Sequence, residues 1–376
     1  MTDAATQASF ELLLAVAPQL DACAPLKSFI ALPEHTLLHA GPPFQPGAVV
    51  APILNSAATA AVFEGWADNV EMARAAILQG RIHLQPAQDR GVVTPLAFVV
   101  SPSMAVLRVS DARGAAVRYS PLNDGPPPGA SRFGAVHSEQ AARLELLRRT
   151  APAFAAGLSE PLPVLPIMQA GLTGGDDLHG RIAAANAALV EQLAPRLSGE
   201  ARDYLSLANQ FMLNVIMAAC ALMIGAASGA SGSRMVVAAG GNGAQLGWKI
   251  AGEPQRWHTI AARPPAGPHF PDAGEKRFLP AIGDSAVIDA CGFGAAALRY
   301  APEMAVALRG HVDERWFTPV ASEAFIGAHP AFPTDLRLGL DLARTAPLRG
   351  IMLAALDADG EAGLIGRGIA PWPMSA

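Results

Sequence analysis

The sequence predicts a mixed α/β (α+β) protein of several domains, and its length and the hydrophobic period along the chain support this prediction. At 376 residues, the chain is roughly two to three times as long as an ordinary domain and can bury a large core without disulfides or metals. Apolar residues alternate near both ends but recur every three to four residues in the middle. We therefore predict an N-terminal α/β domain at 1–137, a helical domain at 138–205, and a C-terminal α/β domain at 206–376 that begins with a buried apolar helix.

The first segment, residues 1–137, combines turn-rich stretches with short apolar runs. The runs typical of strands are 92–100, 105–109 and 116–119. Between the last two runs lies Asp111-Ala-Arg-Gly114, which predicts a hairpin because glycine accepts positive φ and aspartate stabilises turns.

From residue 138 onward the apolar spacing becomes helical. The first predicted helix carries the apolar stripe Ala141, Leu144, Leu147, Ala151 and Phe154. A second follows the Thr173-Gly-Gly-Asp176 turn and ends near Pro195, with the stripe Leu178, Ile182, Ala185, Leu189 and Leu193. A third begins around Ser198 and can continue into the apolar run that follows.

That apolar run, residues 211–230, carries no charge and is long enough to cross a bilayer. It contains Asn214 and Gly225, lacks flanking aromatic belts, and belongs to a chain that is otherwise rich in polar turns. Helices that are apolar on all sides also occupy the centres of large proteins. We therefore favour a buried core helix over a membrane span.

After Gly232 the alternating pattern returns. Runs at 235–239 and 245–251 flank Gly240-Gly-Asn-Gly243, which predicts a β-hairpin. The apolar runs at 286–290 and 350–356 are interpreted as further strands.

Charge and cysteine usage exclude several classes of function. The net charge is −5, from 27 Lys+Arg against 32 Asp+Glu, and no basic stretch could neutralise a run of phosphates, so we expect no nucleic-acid partner. The lysines are few, which leaves arginine to recognise any carboxylate or phosphate. No CxxC pair suggests a disulfide framework or a zinc site, and the N-terminus resembles no secretory signal. We expect a cytoplasmic protein that does not enter a membrane.

The chain contains no GxGxxG, P-loop, HExxH or GxSxG motif, so its sequence does not indicate a nucleotide-binding protein, a zinc protease or a hydrolase of the common types. Instead, short clusters combine glycine or proline with polar side chains, as ligand-binding loops do. The clusters are His39-Ala-Gly-Pro-Pro43, Glu64-Gly-Trp-Ala67, Ser101-Pro-Ser-Met104, Asn123-Asp-Gly125 with Arg132-Phe-Gly134, Gly175-Asp-Asp-Leu-His-Gly-Arg181, Asn209 with Asn214, Gly241-Asn-Gly243, and Ile282-Gly-Asp-Ser-Ala286.

In this order and spacing, from about His39 to Pro371, the clusters resemble the AllG/YlbE-like family of oxamate carbamoyltransferase subunits. The resemblance implies two unusual α/β domains around a small helical one. It also implies carbamoyl transfer between carbamoyl phosphate and oxamate in anaerobic allantoin breakdown, alongside other subunits or in a homo-oligomer. No organic cofactor is implied.

The clusters supply the candidate site residues. The catalytic candidates are His39, Asp176, His179 and Asp284. The candidates for binding carbamoyl phosphate or a carboxylate-bearing amide are Ser101, Ser103, Asn123, Arg132, Arg181, Asn209, Asn214, Asn242 and Ser285.

Each candidate also has a purely structural interpretation. Gly175–Arg181 could hold an anion at a helix start, but Asp176 could equally cap that helix while Asp177 pairs with Arg181. A divalent metal at Asp176, Asp177 and His179 is a weaker alternative, and no metal is assigned.

Two other functions remain open. The first is a non-catalytic assembly subunit. It is favoured because Ala87-Gln-Asp-Arg90, which precedes Val93-Thr-Pro-Leu96, stands where the family has histidines. Gly241 and Ala244 likewise replace an arginine and a threonine. A stand-alone hydrolase or lyase of a ureido acid would need Asp176 or Asp284 as a base.

Overall fold

The computed structural model describes residues 3–45 and 47–372 and has the predicted mixed α/β architecture. The helices are α1 (Ala4–Ala15), α2 (Ala51–Phe63), α3 (Val70–Leu78), α4 (Glu139–Gly157), α5 (Val164–Thr173), α6 (Ala183–Leu193), α7 (Gly199–Leu207), α8 (Phe211–Gly225), α9 (Ala286–Cys291) and α10 (Pro302–Leu308). The strands are β1 (Pro18–Pro25), β2 (Thr36–His39), β3 (His83–Pro86), β4 (Ala105–Asp111), β5 (Val117–Pro121), β6 (Leu162–Pro163), β7 (Val236–Asn242), β8 (Gln245–Ile250), β9 (His258–Ala261), β10 (Ile282–Gly283), β11 (Phe325–Ala328), β12 (Arg337–Leu340), β13 (Gly350–Leu356) and β14 (Leu364–Pro371).

The N-terminal sheet is antiparallel, with the order β5-β4-β1-β6. The predicted hairpin between β4 and β5 is confirmed, and Asp111 stabilises its turn by accepting a hydrogen bond from the Arg113 amide at 3.1 Å. β6 lies within the predicted helical segment but pairs with β1. A separate parallel pair, β2 and β3, is connected through α2 and α3.

The predicted strand at residues 92–100 is wrong. This segment is an irregular buried loop that touches the sheets through isolated bridges at Val92 and Val100. A mostly apolar run indicates burial but does not establish a strand when it carries no alternation of apolar and polar positions. Here the backbone amide of Thr94 bonds to a side chain, Asp284, instead of to a neighbouring strand.

The helical segment agrees with its predicted stripe in α4, where Leu144, Leu147 and Phe154 are buried, whereas Ala141 is exposed. The second predicted helix, α6, begins at Ala183, later than expected. Leu178 instead adopts a left-handed conformation with φ of 67° in the turn before it. α5 was not predicted.

α8 is the central helix of the protein. Its apolar side chains are buried on all sides, which confirms the core-helix prediction, and it packs against β4, β5, β7 and α9. A bend of 83° separates it from α7. Within the described residues, no single helix has the length and apolar character needed to cross a membrane, although α7 and α8 together would pass by length and composition.

The C-terminal segment contains a second antiparallel sheet, β10-β7-β8-β9, and the two-stranded ribbon β13-β14. The hairpin predicted at Gly240–Gly243 is confirmed, with Gly243 at φ of 83°. Residues 350–356 form a strand as predicted, but 286–290 do not. They lie in α9, since this short run is buried throughout, its one charged residue Asp289 included, and therefore shows no alternation of buried and exposed positions that separates helix from strand.

Candidate functional site

A cavity of about 340 Å³ lies where the turn before α6, the start of α8, the start of α9 and the β13-β14 ribbon meet. This volume is within the range of small-molecule sites. Five of the sequence-predicted site residues line it, although they come from distant parts of the chain: Arg132, His179, Arg181, Asn209 and Ser285. We take this cavity as the candidate functional site.

His179 is the buried imidazole of the cavity. Its Nδ1 lies 2.7 Å from Oδ2 of Asp289, which is itself buried in α9. The other oxygen of Asp289 accepts hydrogen bonds from the backbone amides of Ala295 and Met352, at 2.9 and 3.0 Å. Asp289 is thereby fixed, and it orients the ring so that Nε2 remains for a ligand.

Asp289 was not among the predicted site residues. The sequence does contain an indication of its importance, because Asp289 is a carboxylate within the otherwise apolar run 286–290. Buried carboxylates require partners, so such a residue invites a search for a distant one.

The turn that positions His179 is built on Asp177. One oxygen of the Asp177 carboxylate accepts backbone N–H groups from His179, Gly180 and Arg181, at 2.8, 2.6 and 3.4 Å. These amides are therefore already occupied by a carboxylate of the chain. Burial raises the pKa of Asp177 to about 6. The predicted pairing of Asp177 with the Arg181 side chain is not what the structure shows.

Asp176 makes that pairing instead. Its Oδ1 accepts from the Arg181 guanidinium at 2.6 Å, and its Oδ2 accepts from the Ala185 amide at 2.8 Å near the start of α6. Asp176 thus caps the helix and anchors the arginine. The ion pair of Arg181 with Glu303, at 3.0 Å, completes its contacts with carboxylates.

Arg132 reaches the cavity from the short 3-10 turn at 131–133. Its guanidinium is buried, forms an ion pair with Asp124, and donates to the carbonyl of Gly125 at 2.6 Å. Its Nη2 lies 3.5 Å from the side-chain oxygen of Gln210, another residue that lines the cavity. The charge of Arg132 is therefore balanced within the protein.

Arg367, on β14, is the third arginine of the cavity, and it was not predicted. Its guanidinium lies 4.9 Å from the ring centroid of Phe270, and its Nη1 is 3.9 Å from the sulfur of Met304. Arg367 forms no ion pair within residues 3–45 and 47–372. A single arginine in a strand has no local motif around it, so no pattern in the sequence predicts that it lines a cavity.

Ser285 and Asn209 complete the predicted residues at the cavity. Ser285 precedes α9, is 2% exposed, and its hydroxyl has no hydrogen-bond partner within the described part of the chain. Asn209 is exposed at the break between α7 and α8. A buried hydroxyl without a partner costs free energy unless a ligand or water satisfies it.

Asp284, the residue before Ser285, faces away from this cavity and is wholly buried. Its carboxylate accepts from the amides of Gly41 and Thr94, at 2.9 and 3.0 Å, and from the side chain of Gln88 at 2.6 Å. Burial raises its pKa to about 7. Asp284 joins the loops after β2 and β3 to the C-terminal segment.

His39, at the end of β2, lies outside the cavity. Its Nδ1 donates to the carbonyl of Ala40 at 2.8 Å, and its ring packs on Phe44 with the centroids 4.6 Å apart. Complete burial lowers its pKa to about 4. The ring is therefore neutral at physiological pH, and a catalytic role for it stays a prediction.

The remaining predicted binding residues also lie outside the cavity and bond within the chain. Ser101 donates to Glu64 at 2.6 Å, and the Ser103 hydroxyl accepts from Lys27 at 3.1 Å. The Asn123 amide donates to the side-chain oxygen of Asn214 at 2.8 Å, which gives the buried Asn214 a protein partner. The amide of Asn242 donates to the carbonyl of Pro42 at 3.0 Å. Their roles in binding stay predictions.

The metal alternative finds no support in the geometry. Within residues 3–45 and 47–372, no group of three or more His, Cys, Asp or Glu side chains is placed to hold a metal ion. Both oxygens of Asp176 and one oxygen of Asp177 accept hydrogen bonds from backbone or guanidinium donors, as described above, and the second oxygen of Asp177 is buried without a hydrogen-bond partner among the described residues.

We expect Arg181→Lys to weaken anion binding about 5- to 150-fold, because lysine keeps the charge but cannot contact Asp176, Glu303 and a ligand together. The free energy of unfolding should fall by no more than about 1 kcal/mol, since an ammonium can still face Asp176. Phosphate titration and thermal melting of both proteins in one buffer measure the two effects. Arg148→Lys, an exposed arginine paired with Glu145 on α4, is the control. Unchanged affinity would remove Arg181 from the site.

The fold and this cavity define a class: a mixed α/β protein with a small, arginine-lined site at the junction of its helical and C-terminal segments. Comparison with known proteins identifies the family. A family model described as oxamate carbamoyltransferase subunit AllG matches residues 82–285, which include the five predicted residues at the cavity but not Arg367. The chain belongs to this family of oxamate carbamoyltransferase subunits.

Individual relatives agree with this assignment. The oxamate carbamoyltransferase subunit AllG of Escherichia coli K12 is 31% identical over 280 residues, which cover 71% of this chain and 67% of that protein. The uncharacterized protein YahG of the same organism is 26% identical over 363 residues, covering 90% of this chain and 76% of that one. The crystal structure of a conserved protein of unknown function from Enterococcus faecalis V583 superposes on this chain with a TM-score of 0.92 at 23% identity. The match covers 98% of this chain and 94% of that protein, and it shows the same fold.

Proposed function

We propose that this chain carries a substrate site of a carbamoyltransferase, and that the arginine-lined cavity binds the anions of that reaction. The proposed reaction is carbamoyl transfer between carbamoyl phosphate and a small amide or amine acid, with phosphorolysis of oxalurate as its reverse. The observation that carries the proposal is Arg367, a cation in the cavity with no ion pair among the described residues.

The charges of the cavity favour an anionic ligand. The charge of Arg132 is balanced by Asp124, and the charge of Arg181 by Asp176 and Glu303. These two arginines therefore offer N–H donors to a ligand but add little net positive charge to the cavity. Arg367 supplies a guanidinium that can bind a carboxylate or phosphate through two parallel hydrogen bonds. The unsatisfied hydroxyl of Ser285 adds a further donor.

The chemistry of carbamoyl transfer requires orientation, charge stabilisation and movement of one proton. The nitrogen of the acceptor attacks the carbamoyl carbon, the bond between that carbon and the phosphate oxygen breaks, and the nitrogen loses a proton. In the proposal, Nε2 of His179 accepts that proton, because Asp289 holds the other ring nitrogen in its protonated form. In the reverse direction, His179 returns the proton to the departing nitrogen.

The alternative of an assembly subunit has its own supporting observation, since Arg132 and Arg181 already bind carboxylates of the chain. Both alternatives include other subunits as partners. A hydrolase that uses Asp176 or Asp284 as its base is disfavoured, because the oxygens of both carboxylates are occupied by protein donors. A cytoplasmic location in purine catabolism is part of the proposal.

The test is oxamate-dependent release of phosphate from carbamoyl phosphate, measured with the purified chain alone and with its partner subunits. Arg367→Gln should raise KM or lower kcat/KM about 5- to 150-fold, because the substrate anion loses a charged bidentate partner. Arg148→Gln, with its exposed ion pair to Glu145, should behave like the wild type. Full activity of the complex with Arg367→Gln would contradict the proposed site and favour an assembly role.

A further inference from the structure

A second cavity, of about 320 Å³, lies on the other side of the loop at 91–96 and shares no lining residue with the first. Its walls come from β5, the loop after β3, the C-terminal end of α8 and the facing strands β7 and β8. The polar residues among its lining are Gln88, Asp89, Arg118, Ser228, Lys249 and Gln255.

The two cations of this cavity differ in their partners. Lys249, buried on β8, binds Asp89 at 2.7 Å and lies 4.9 Å from the ring centroid of Trp257. Arg118, on β5, donates to the carbonyl of its own neighbour Val117 at 2.8 Å and forms no ion pair within the described residues. Burial lowers the pKa of Arg118.

The Arg118 side chain is half-buried, and its guanidinium has five N–H donors and a full charge but a single carbonyl partner, so the hydration that it has lost is only partly replaced. One contact offsets part of this loss. The guanidinium lies against the end of α8, because a Cβ placed on Gly225 would be 2.5 Å from its Nη2. The carbonyl end of a helix carries only a partial negative charge, so it cannot replace an anion.

We infer that this second cavity is a binding site for a small oxoanion, a carboxylate or a phosphate, held by Arg118 with Lys249 beside it. The charges of Arg118, Lys249 and Asp89 sum to one positive charge, which one anion would neutralise. The planar guanidinium is suited to the two oxygens of such a ligand. The volume limits the ligand to the size of a small metabolite.

The experiment is calorimetric titration of the full chain with inorganic phosphate and with oxalate at constant ionic strength. The wild type should show two classes of site. Arg118→Gln should weaken one class about tenfold or more and leave the other, while Arg367→Gln should do the converse. Arg108→Gln, on the neighbouring strand β4 and paired with Asp21 at 2.8 Å, is the matched control and should retain both.

The inference is independent of the proposed reaction, because the two arginine variants report on different cavities. If Arg118→Gln fails to fold, Arg118→Lys keeps the charge and should still weaken the same class several-fold. A wild-type titration with one class, abolished by Arg367→Gln and unaffected at Arg118, would overturn the inference. A lower melting temperature for Arg118→Gln with unchanged titrations would also overturn the inference, since Arg118 would then only stabilise the fold through its contact with the end of α8.

Discussion

Asp284→Ala is expected to lower the free energy of unfolding by about 3–5 kcal/mol, the largest effect on stability that we expect from a single change. The substitution leaves the amides of Gly41 and Thr94 buried without their acceptor, and it removes one acceptor of the Gln88 side chain. These donors belong to the N-terminal segment, whereas Asp284 belongs to the C-terminal one. Urea unfolding of the variant and the wild type below about pH 7, the pKa of Asp284 in the folded protein, measures the loss.

The control for this prediction is Asp359→Ala, because the Asp359 carboxylate is 61% exposed and pairs with Arg277 at the surface. Its free energy of unfolding should change by no more than about 0.5 kcal/mol. An equally small change for Asp284→Ala would show that the loops after β2 and β3 are held by apolar packing alone.

Asp284 should also affect how stability depends on pH. Its pKa in the folded protein, about 7, lies above the ordinary value of 3.8, so the folded state holds more protons between these values. Stability from this group is therefore fully present below about pH 4 and is lost as the pH rises through 7. Asp177, with a pKa of about 6, acts in the same direction. In a plot of the free energy of unfolding against pH, Asp284→Asn should remove the part of the slope that arises from Asp284.

Much of the fold could be predicted where a local pattern has a single structural meaning. The turn residues at 111–114 and 240–243 require hairpins, and the stripe of Leu144, Leu147 and Phe154 requires a helix. The failures at 92–100 and 286–290 have a common physical cause. Both are mostly apolar and buried along their length, the polar Thr94 and Asp289 included, and burial from all sides removes the difference between faces on which a prediction of helix or strand depends.

The site shows a similar division. The composition of Gly175–Arg181 predicts a ligand-binding loop, and this segment supplies His179 and Arg181 to the cavity. Arg367 and Asp289 have no such surroundings, and only the packing of β14 and α9 brings them there. The polar residues with the clearest motifs, such as Asp284 and Asn242, instead bond to the backbone of distant loops. Glycine-rich polar motifs thus mark demanding backbone positions as readily as they mark ligands.

The largest effect on activity is expected at the pair of His179 and Asp289. If His179 transfers the proton, His179→Gln should lower kcat about 10²- to 10⁴-fold, with a smaller change in the affinity for phosphate. His311→Gln, an exposed histidine after α10, is the control and should retain kcat. The measurement is steady-state carbamoyl transfer by the complete complex, together with phosphate titration of each variant.

Asp289→Asn separates a positioning role from a structural one, because the geometry fixes how the new amide must lie. Oδ1 accepts hydrogen bonds from the amides of Ala295 and Met352, so the amide nitrogen must take the place of Oδ2 and donate to Nδ1 of His179. That contact moves the ring proton to Nε2, and the nitrogen that faces the ligand can no longer accept a proton. We expect kcat to fall as in His179→Gln, the melting temperature to change little, and the imidazole ¹⁵N shifts to show the exchanged tautomer. An exchanged tautomer with unchanged kcat would exclude His179 as the group that moves the proton.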